Sequence, residues 1–180
     1  MILNNKNDLI IMIDMVNGFS YEGAFASENV IDLVPKMKEF LIKNLESKVE
    51  TIHYVDSHPS DAQEFNYYPI HCIEGTSEAK VISELDFKEI TLIKKNSTNG
   101  FLRKNPFDYQ KNLYLVGCVT DICVFEFALT AQKYKEEYNL PYSVNVISDL
   151  VATFDSDNHD AQEINEQFLT ILKNRGVNII

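Results

Sequence analysis

The chain has 180 residues, 45% hydrophobic and 24% charged, a globular balance that excludes a disordered chain and suits one domain, residues 1–180, rather than two. A net charge of −11 excludes nucleic acid and an anionic membrane surface as general partners. No apolar stretch approaches the roughly 20 residues that span a bilayer, Met1 to Asp8 lack the features of a signal peptide, and Cys72, Cys118 and Cys123 show no disulfide-framework spacing; the expected location is a reducing cytoplasm.

Leu9 to Ile13 is an apolar run ending on Asp14, the pattern of a strand buried on both faces. After a loop with Asn17-Gly18 and Gly23, the helical spacing of Val30, Val34, Met37 and Leu41 predicts an amphipathic helix. A second strand, Thr51 to Val55, ends on Asp56. The irregular segment Ser57 to Thr76 is long enough to imply a functional loop. A short helix is expected over Glu78 to Leu85, then a strand over Glu89 to Ile93 that runs into Lys94-Lys95. Irregular chain from Asn96 to Asn112 precedes a strand from Leu113 to Val116, which stops at Gly117. Thr120-Asp121 then offers an N-cap to a helix with Val124, Phe127, Ala131, Tyr134 and Tyr138 on one face. A strand over Ser143 to Ser148, a polar loop through Asp155 to Asn158, a helix marked by Ala161, Ile164, Phe168 and Ile171, and a last strand over Val177 to Ile180 complete the chain. Strands alternating with helices predict an α/β fold: a doubly wound, mainly parallel six-stranded sheet with helices on both faces.

In such sheets ligands bind beyond the carboxyl ends of the strands. Asp14, Asp56, Lys95 and Cys123 stand at or just after four consecutive strand ends, so they should share one rim. Cys123 in the first turn of a helix gains from the helix dipole and free N–H groups, which favour a thiolate; the alternative is an inert buried cysteine. Asp56 and His58, two apart, share a face of extended chain, and Glu64 and His71 follow in the same loop. Two imidazoles and two carboxylates suit zinc, manganese or iron. Histidines capping turns beside Pro59 and Pro69 fit the spacing equally well. The loop after Asp14 has no G-x-G-x-x-G, and the chain has no G-x-x-x-x-G-K-[ST], so neither nucleotide motif is present.

Four segments in order resemble the isochorismatase-like cysteine hydrolases, nicotinamidase type. They are Ile13-Asp14-Met15-Val16-Asn17-Gly18-Phe19, Asp56-Ser57-His58, Tyr68-Pro69-Ile70-His71-Cys72-Ile73-Glu74-Gly75-Thr76, and Gly117-Cys118-Val119-Thr120-Asp121-Ile122-Cys123-Val124. The resemblance implies a three-layer Rossmann-like fold and a catalytic triad of Asp14, Lys95 and Cys123. The family's lysine stands six residues before a phenylalanine, as Lys95 does before Phe101, and strand alternation sends Lys94 to the other side. It further implies a divalent metal on Asp56, His58, Glu64 and His71, with glutamate at 64 where several relatives have histidine. A cis peptide at Cys118–Val119 is implied as well, with the N–H groups of Val119 and Cys123 forming an oxyanion hole. Phe19 and Tyr68 match the ring-packing aromatics, for which ordinary packing is the alternative.

The implied activity is hydrolysis of a small primary amide, nicotinamide to nicotinate and ammonia, through a cysteine thioester. Cys123 argues against vinyl-ether cleavage, since isochorismatases proper generally lack that cysteine. The rival readings are a hydrolase of another small amide, an N-carbamoyl or a ureido compound, and a non-catalytic binding or redox-sensing member. The expected partner is a small-molecule amide, with neither nucleic acid nor membrane, and a homo-oligomer is compatible with the chain's 11 phenylalanines and nine tyrosines.

Overall fold

The structure, a computed structural model, describes residues 1–103 and 111–180. Six strands form one parallel sheet: β1 (Asp8–Ile13), β2 (Glu50–Asp56), β3 (Thr91–Lys95), β4 (Asn112–Cys118), β5 (Val144–Ala152) and β6 (Asn178–Ile179). Their order is β3-β2-β1-β4-β5-β6, so the winding reverses between β1 and β4. A ligand crevice is expected there.

All six residues of β1 are buried, and alternation divides the five apolar ones between two cores. Ile10 and Met12 join Val34, Met37 and Leu41 of helix α3 (Leu33–Glu46), while Leu9, Ile11 and Ile13 join Phe127 and Ala131 of α4 (Phe125–Tyr138) and Leu169 and Leu172 of α5 (Ala161–Asn174). Two single-turn helices, α1 (Asn17–Ser20) and α2 (Glu28–Ile31), link β1 to α3. The expected first helix is thus broken at Asp32, and Pro35 falls in the opening turn of α3, where its missing N–H is harmless. Among the described residues no helix is long and apolar enough to cross a membrane.

Four local expectations need correction. Over 78–85 the chain forms a 3₁₀ turn at Ser83–Leu85 and no longer helix. The carbonyls of Glu78 and Lys80 accept the N–H groups of Gly18 and Asn17, Ile82 N–H donates to Met15, and Val81 bridges Val16, so these backbone groups serve the loop after β1. The third strand lies two residues later than expected, because Ile90 N–H closes a turn onto Phe87; Lys94 and Lys95 are therefore within β3. Thr120 and Asp121 do not cap a helix. They lie inside a single π-helical turn, Thr120–Val124, that leads into α4, with Cys123 its fourth residue. Of the segment expected to be irregular before β4, Gly100–Leu102 forms a 3₁₀ turn and residues 104–110 lie outside those described.

Candidate active site

Gly117 allows the sheet to close at its switch point. It pairs with Ile13 in the β1–β4 ladder with φ +116°, and an added Cβ would lie 2.0 Å from the Ile13 carbonyl oxygen. The next residue on β1's side, Asp14, takes a left-handed φ of 52°. Its N–H donates to Tyr54 (2.9 Å), Met15 N–H donates to Nε2 of buried His53 (3.1 Å), and Asp14 Oδ1 accepts from Asp56 N–H (2.8 Å). These bonds swing the Asp14 carboxylate across the end of β2 toward β3.

Lys95 reaches it from there. Its side chain is fully buried, with Nζ 2.8 Å from Asp14 Oδ2, hydrogen-bonded to Asp56 Oδ1, and 3.7 Å from Cys123 Sγ. Lys94 points to the opposite side, 63% exposed and paired with Glu74 at 2.7 Å. Asp14, Asp56 and Cys123 hold ligand-capable atoms within 4.8 Å of one another. Burial, helped by the Asp56 charge and opposed by Lys95, raises the Asp14 carboxyl to about 7. Burial also works against the charge of Asp56, but the Lys95 ammonium and the neighbouring His58 and His71 rings outweigh it and hold its carboxyl below the usual range. Burial pushes the Cys123 thiol up, Lys95 offsetting part of the effect. The resting cysteine is therefore a thiol beside a carboxyl that titrates near neutrality. This departs from the expectation that the helix dipole favours a thiolate: exclusion from water dominates here.

The loop after β2 is folded back by its own backbone. His58 N–H donates to Cys72 (3.0 Å) and Glu74 N–H to His58 (2.8 Å), which sets His71 beside His58, and a 3₁₀ turn at Gln63–Asn66 presents Glu64. Asp56, His58, Glu64 and His71 thus gather, with ligand atoms mutually within 4.8 Å. His58 Nδ1 is engaged by Asn96 Oδ1 (2.9 Å) and His71 Nδ1 by the Pro69 carbonyl (2.8 Å), so each ring turns Nε2 toward the cluster. His58 Nε2 is buried without a hydrogen-bond partner, and Asp56 oxygens lie 3.5 Å from it and 3.6 Å from His71 Nε2. Ligands about 2.1 Å from a tetrahedral ion stand roughly 3.4 Å apart. The donor set fits a divalent cation, its histidines oriented by outer partners as metal-bound histidines are.

Both groups open onto one cleft of about 320 Å³, lined by Phe19, Phe25, Tyr68, Val119, Ile122 and Phe154 beside Asp56, Glu64, His71 and Cys123. Phe19 and Tyr68 are among the residues expected there. Phe25, Ile122 and Phe154 are additions: Phe25 sets its ring edge-on to His71 at 4.9 Å and stands 6.1 Å from Phe154. Nothing in the spacing of the two phenylalanines marks them, since lone aromatics in loops are common, and Ile122 stands inside the nucleophile motif with no polar group to mark it. His53, inside strand β2, reads in the sequence as core, and it is buried there. The peptide Cys118–Val119 is cis.

Comparison with known proteins identifies the family and agrees with the fold. The isochorismatase domain profile matches residues 8–176. The chain is 30% identical over 189 aligned residues to nicotinamidase 1 of Arabidopsis thaliana, covering 91% of this chain and 77% of that one. A pyrazinamidase of Pyrococcus horikoshii in complex with zinc superposes with TM-score 0.80 at 24% identity, over 97% of this chain and 98% of that one. An N-carbamoylsarcosine amidase of Thermoplasma acidophilum does so with TM-score 0.74 at 23% identity, over 96% and 95%. With its profile match running from β1 through α5 and including both residue clusters, the chain belongs to the isochorismatase domain family, as a nicotinamidase-like hydrolase.

Proposed function

We propose that the protein hydrolyses a small primary amide, nicotinamide first among candidates, through a thioester on Cys123. The observation that carries this reading is the buried contact of Lys95 with Asp14, Asp56 and Cys123 at the end of a cleft walled by aromatic rings. A carboxyl near 7 can take a proton and return it at neutral pH. Asp14 removes the thiol proton as Cys123 sulfur bonds to the amide carbon; the C–N bond then breaks and Asp14 passes that proton to the departing ammonia. Lys95 holds its charge against burial because Asp14 and Asp56 face it, and it stabilises the sulfur anion in transit. The N–H groups of Val119 and Cys123 receive the oxyanion, each such donor being worth about 2.7–4 kcal/mol. Water then cleaves the thioester, releasing the carboxylic acid.

Phe19 and Tyr68 would sandwich a flat ring. Asp56, His58, Glu64 and His71 would hold zinc, manganese or iron, which when bound offers a Lewis-acidic anchor for a ring nitrogen. Three free thiols suit a reducing cytoplasm, where the reaction would serve NAD salvage. Ammonia release from nicotinamide, pyrazinamide, an N-carbamoyl amino acid and an aliphatic amide tests the reading. Rapid turnover of the two ring amides, lost in Cys123→Ala, is expected. Preference for the N-carbamoyl compound would move the assignment to that substrate class, and activity surviving Cys123→Ala would end the thioester mechanism.

A further inference from the structure

Of the four histidines, two stand in the metal donor set and His53 is buried behind Asp14. His159 stands apart from all of these. It closes a small turn with Ser156, their backbones exchanging two 3.0 Å hydrogen bonds. Its Nε2 lies 2.9 Å from Asp121 Oδ2 and its Nδ1 2.8 Å from the Phe154 carbonyl oxygen. Neither a carboxylate nor a carbonyl oxygen can donate, so satisfying both contacts requires a proton on each ring nitrogen, an imidazolium. The same ring lies flat on Phe154, centroids 4.2 Å apart and planes 2° from parallel, where a cation gains from the π face. The other oxygen of Asp121 accepts from Thr153 Oγ1, on the opposite side of Phe154 in the chain.

We propose that His159 is a positioning residue of the substrate site: a doubly donating imidazolium that ties Phe154, a wall of the cleft, to Asp121 in the turn that carries Cys123. The inference rests on the amide-hydrolase reading of that cleft. Phe154 lines it together with Ile122, the residue between Asp121 and Cys123, so one clamp fixes the wall relative to the nucleophile turn. The charged groups facing the ring are Asp121 from that turn and Asp155 from its own loop; α2 contributes Asn29, which is uncharged and holds Asp155 and the Thr153 carbonyl. Burial disfavours the ring's charge, but the bonds to Asp121 and to Phe154 outweigh it and raise the imidazole above its ordinary range. Deprotonation sets a bare nitrogen against an oxygen, and one of the two bonds is lost. Phe154 would touch substrate and not the reacting atoms, so the loss falls on KM.

Nitrogen NMR of the intact, metal-loaded protein with amide kinetics tests this. Both ring N–H groups of His159 should be present at pH 6, with a titration midpoint above that of free imidazole side chains. KM for the best amide should rise about tenfold across that midpoint, the scale of one charge-assisted hydrogen bond, with kcat within about twofold. His159→Phe keeps the stack and removes both donors, and should show the high KM at every pH. His159→Gln keeps donors, and should recover part of the affinity without the pH step. A single ring N–H at pH 6 overturns the proposal, as does a His159→Phe enzyme with the wild-type KM and its pH step. If no amide is turned over, the failure belongs to the proposed activity, and the ring N–H count still decides whether the imidazolium clamp exists.

Discussion

Replacing Lys95 by methionine removes the ammonium that touches Asp14, Asp56 and Cys123 while keeping most of its volume. Breaking a buried ion pair by deleting one partner typically costs about 3–5 kcal/mol, because the remaining charge is left uncompensated. Here two carboxylates lose their partner, so the upper end of that range applies. The neighbouring substitution is the control: Lys94 pairs with Glu74 where both side chains are over 60% exposed, 63% and 61%, and such pairs are worth about 0–1 kcal/mol. In a domain of this size about 1 kcal/mol moves Tm by roughly 2–4 °C. Lys95→Met should therefore lower Tm by about 10 °C or more and Lys94→Met by about 4 °C at most.

The pH dependence sharpens the test. A carboxyl raised in the folded state stabilises fully below its unfolded value, and that contribution is lost as pH rises through the folded value. For Asp14 the window runs from about 4 to about 7. Without Lys95, which lowers the Asp14 carboxyl, the upper edge moves higher; Asp56 also loses what holds it down. Both changes make the variant lose more stability than the wild type as pH increases. Thermal unfolding followed by circular dichroism at pH 5 and pH 8 should show a deficit that widens at pH 8, together with loss of amide turnover. A deficit independent of pH, or an active Lys95→Met beside an inactive Lys94→Met, would refute the charge arrangement described.

Cys123→Ala should remove turnover and leave the far-ultraviolet circular dichroism and unfolding cooperativity unchanged, because Cys123 belongs to an apolar cluster with Val124 and Phe127 that a small apolar residue suits; a residual rate above background would exclude the nucleophile. His58→Ala should lower bound divalent metal per chain and raise KM, checked by metal analysis after dialysis, and undiminished metal would dissolve the four-residue site. For the wild type, kcat/KM should fall about tenfold per pH unit below a midpoint near 7 as Asp14 becomes protonated. A flat acid limb down to pH 5 would deny Asp14 the role of base.

Strand ends were legible because burial on both faces favours apolar and β-branched runs, and each run stops at a carboxylate. Leu9 to Ile13, wholly apolar, ends on Asp14, and Thr51 to Val55, interrupted only by His53 after its opening threonine, ends on Asp56; both carboxylates are buried, and the rim that gathers Asp14, Asp56, Lys95 and Cys123 follows from them. β3 was misplaced because it is an edge strand: Thr91, Leu92 and Lys94 are exposed, so no apolar run marks its limits. The expected helix over Glu78 to Leu85 failed because its backbone groups pair with residues 15–18, a partnership between distant segments that local propensity does not encode. The cap assigned to Asp121 failed for a related reason. His159 and Thr153, 38 and 32 positions away in sequence, claim its carboxylate. Phe25 and Phe154 became site residues through the fold alone, each brought to the cleft by a loop whose sequence carries no periodicity.

The close approach at Gly117 separates two effects that glycine substitutions usually mix. Gly117 and Gly75 both have positive φ, +116° and +86°, so alanine at either position carries backbone strain, about 1–3 kcal/mol. Around Gly75 nothing lies within 4 Å of an added Cβ, whereas at Gly117 the Cβ would meet Ile13 O at 2.0 Å and Ile13 N at 2.8 Å. Those are backbone atoms of the adjacent buried strand, and no side chain can rotate away to make room. Gly117→Ala must therefore part β1 from β4 where Ile13 and Gly117 pair, one residue before Asp14 and six before Cys123. The excess over Gly75→Ala should resemble overpacking of a core, about 1–3 kcal/mol or more, so Gly117→Ala should melt several degrees below Gly75→Ala at the same pH. Because the parting separates the strand ends that bear the base and the nucleophile, kcat should fall in Gly117→Ala and stay near wild type in Gly75→Ala. Equal Tm shifts in the two variants would mean that φ alone demands glycine at 117, and that the strands at the switch point have slack.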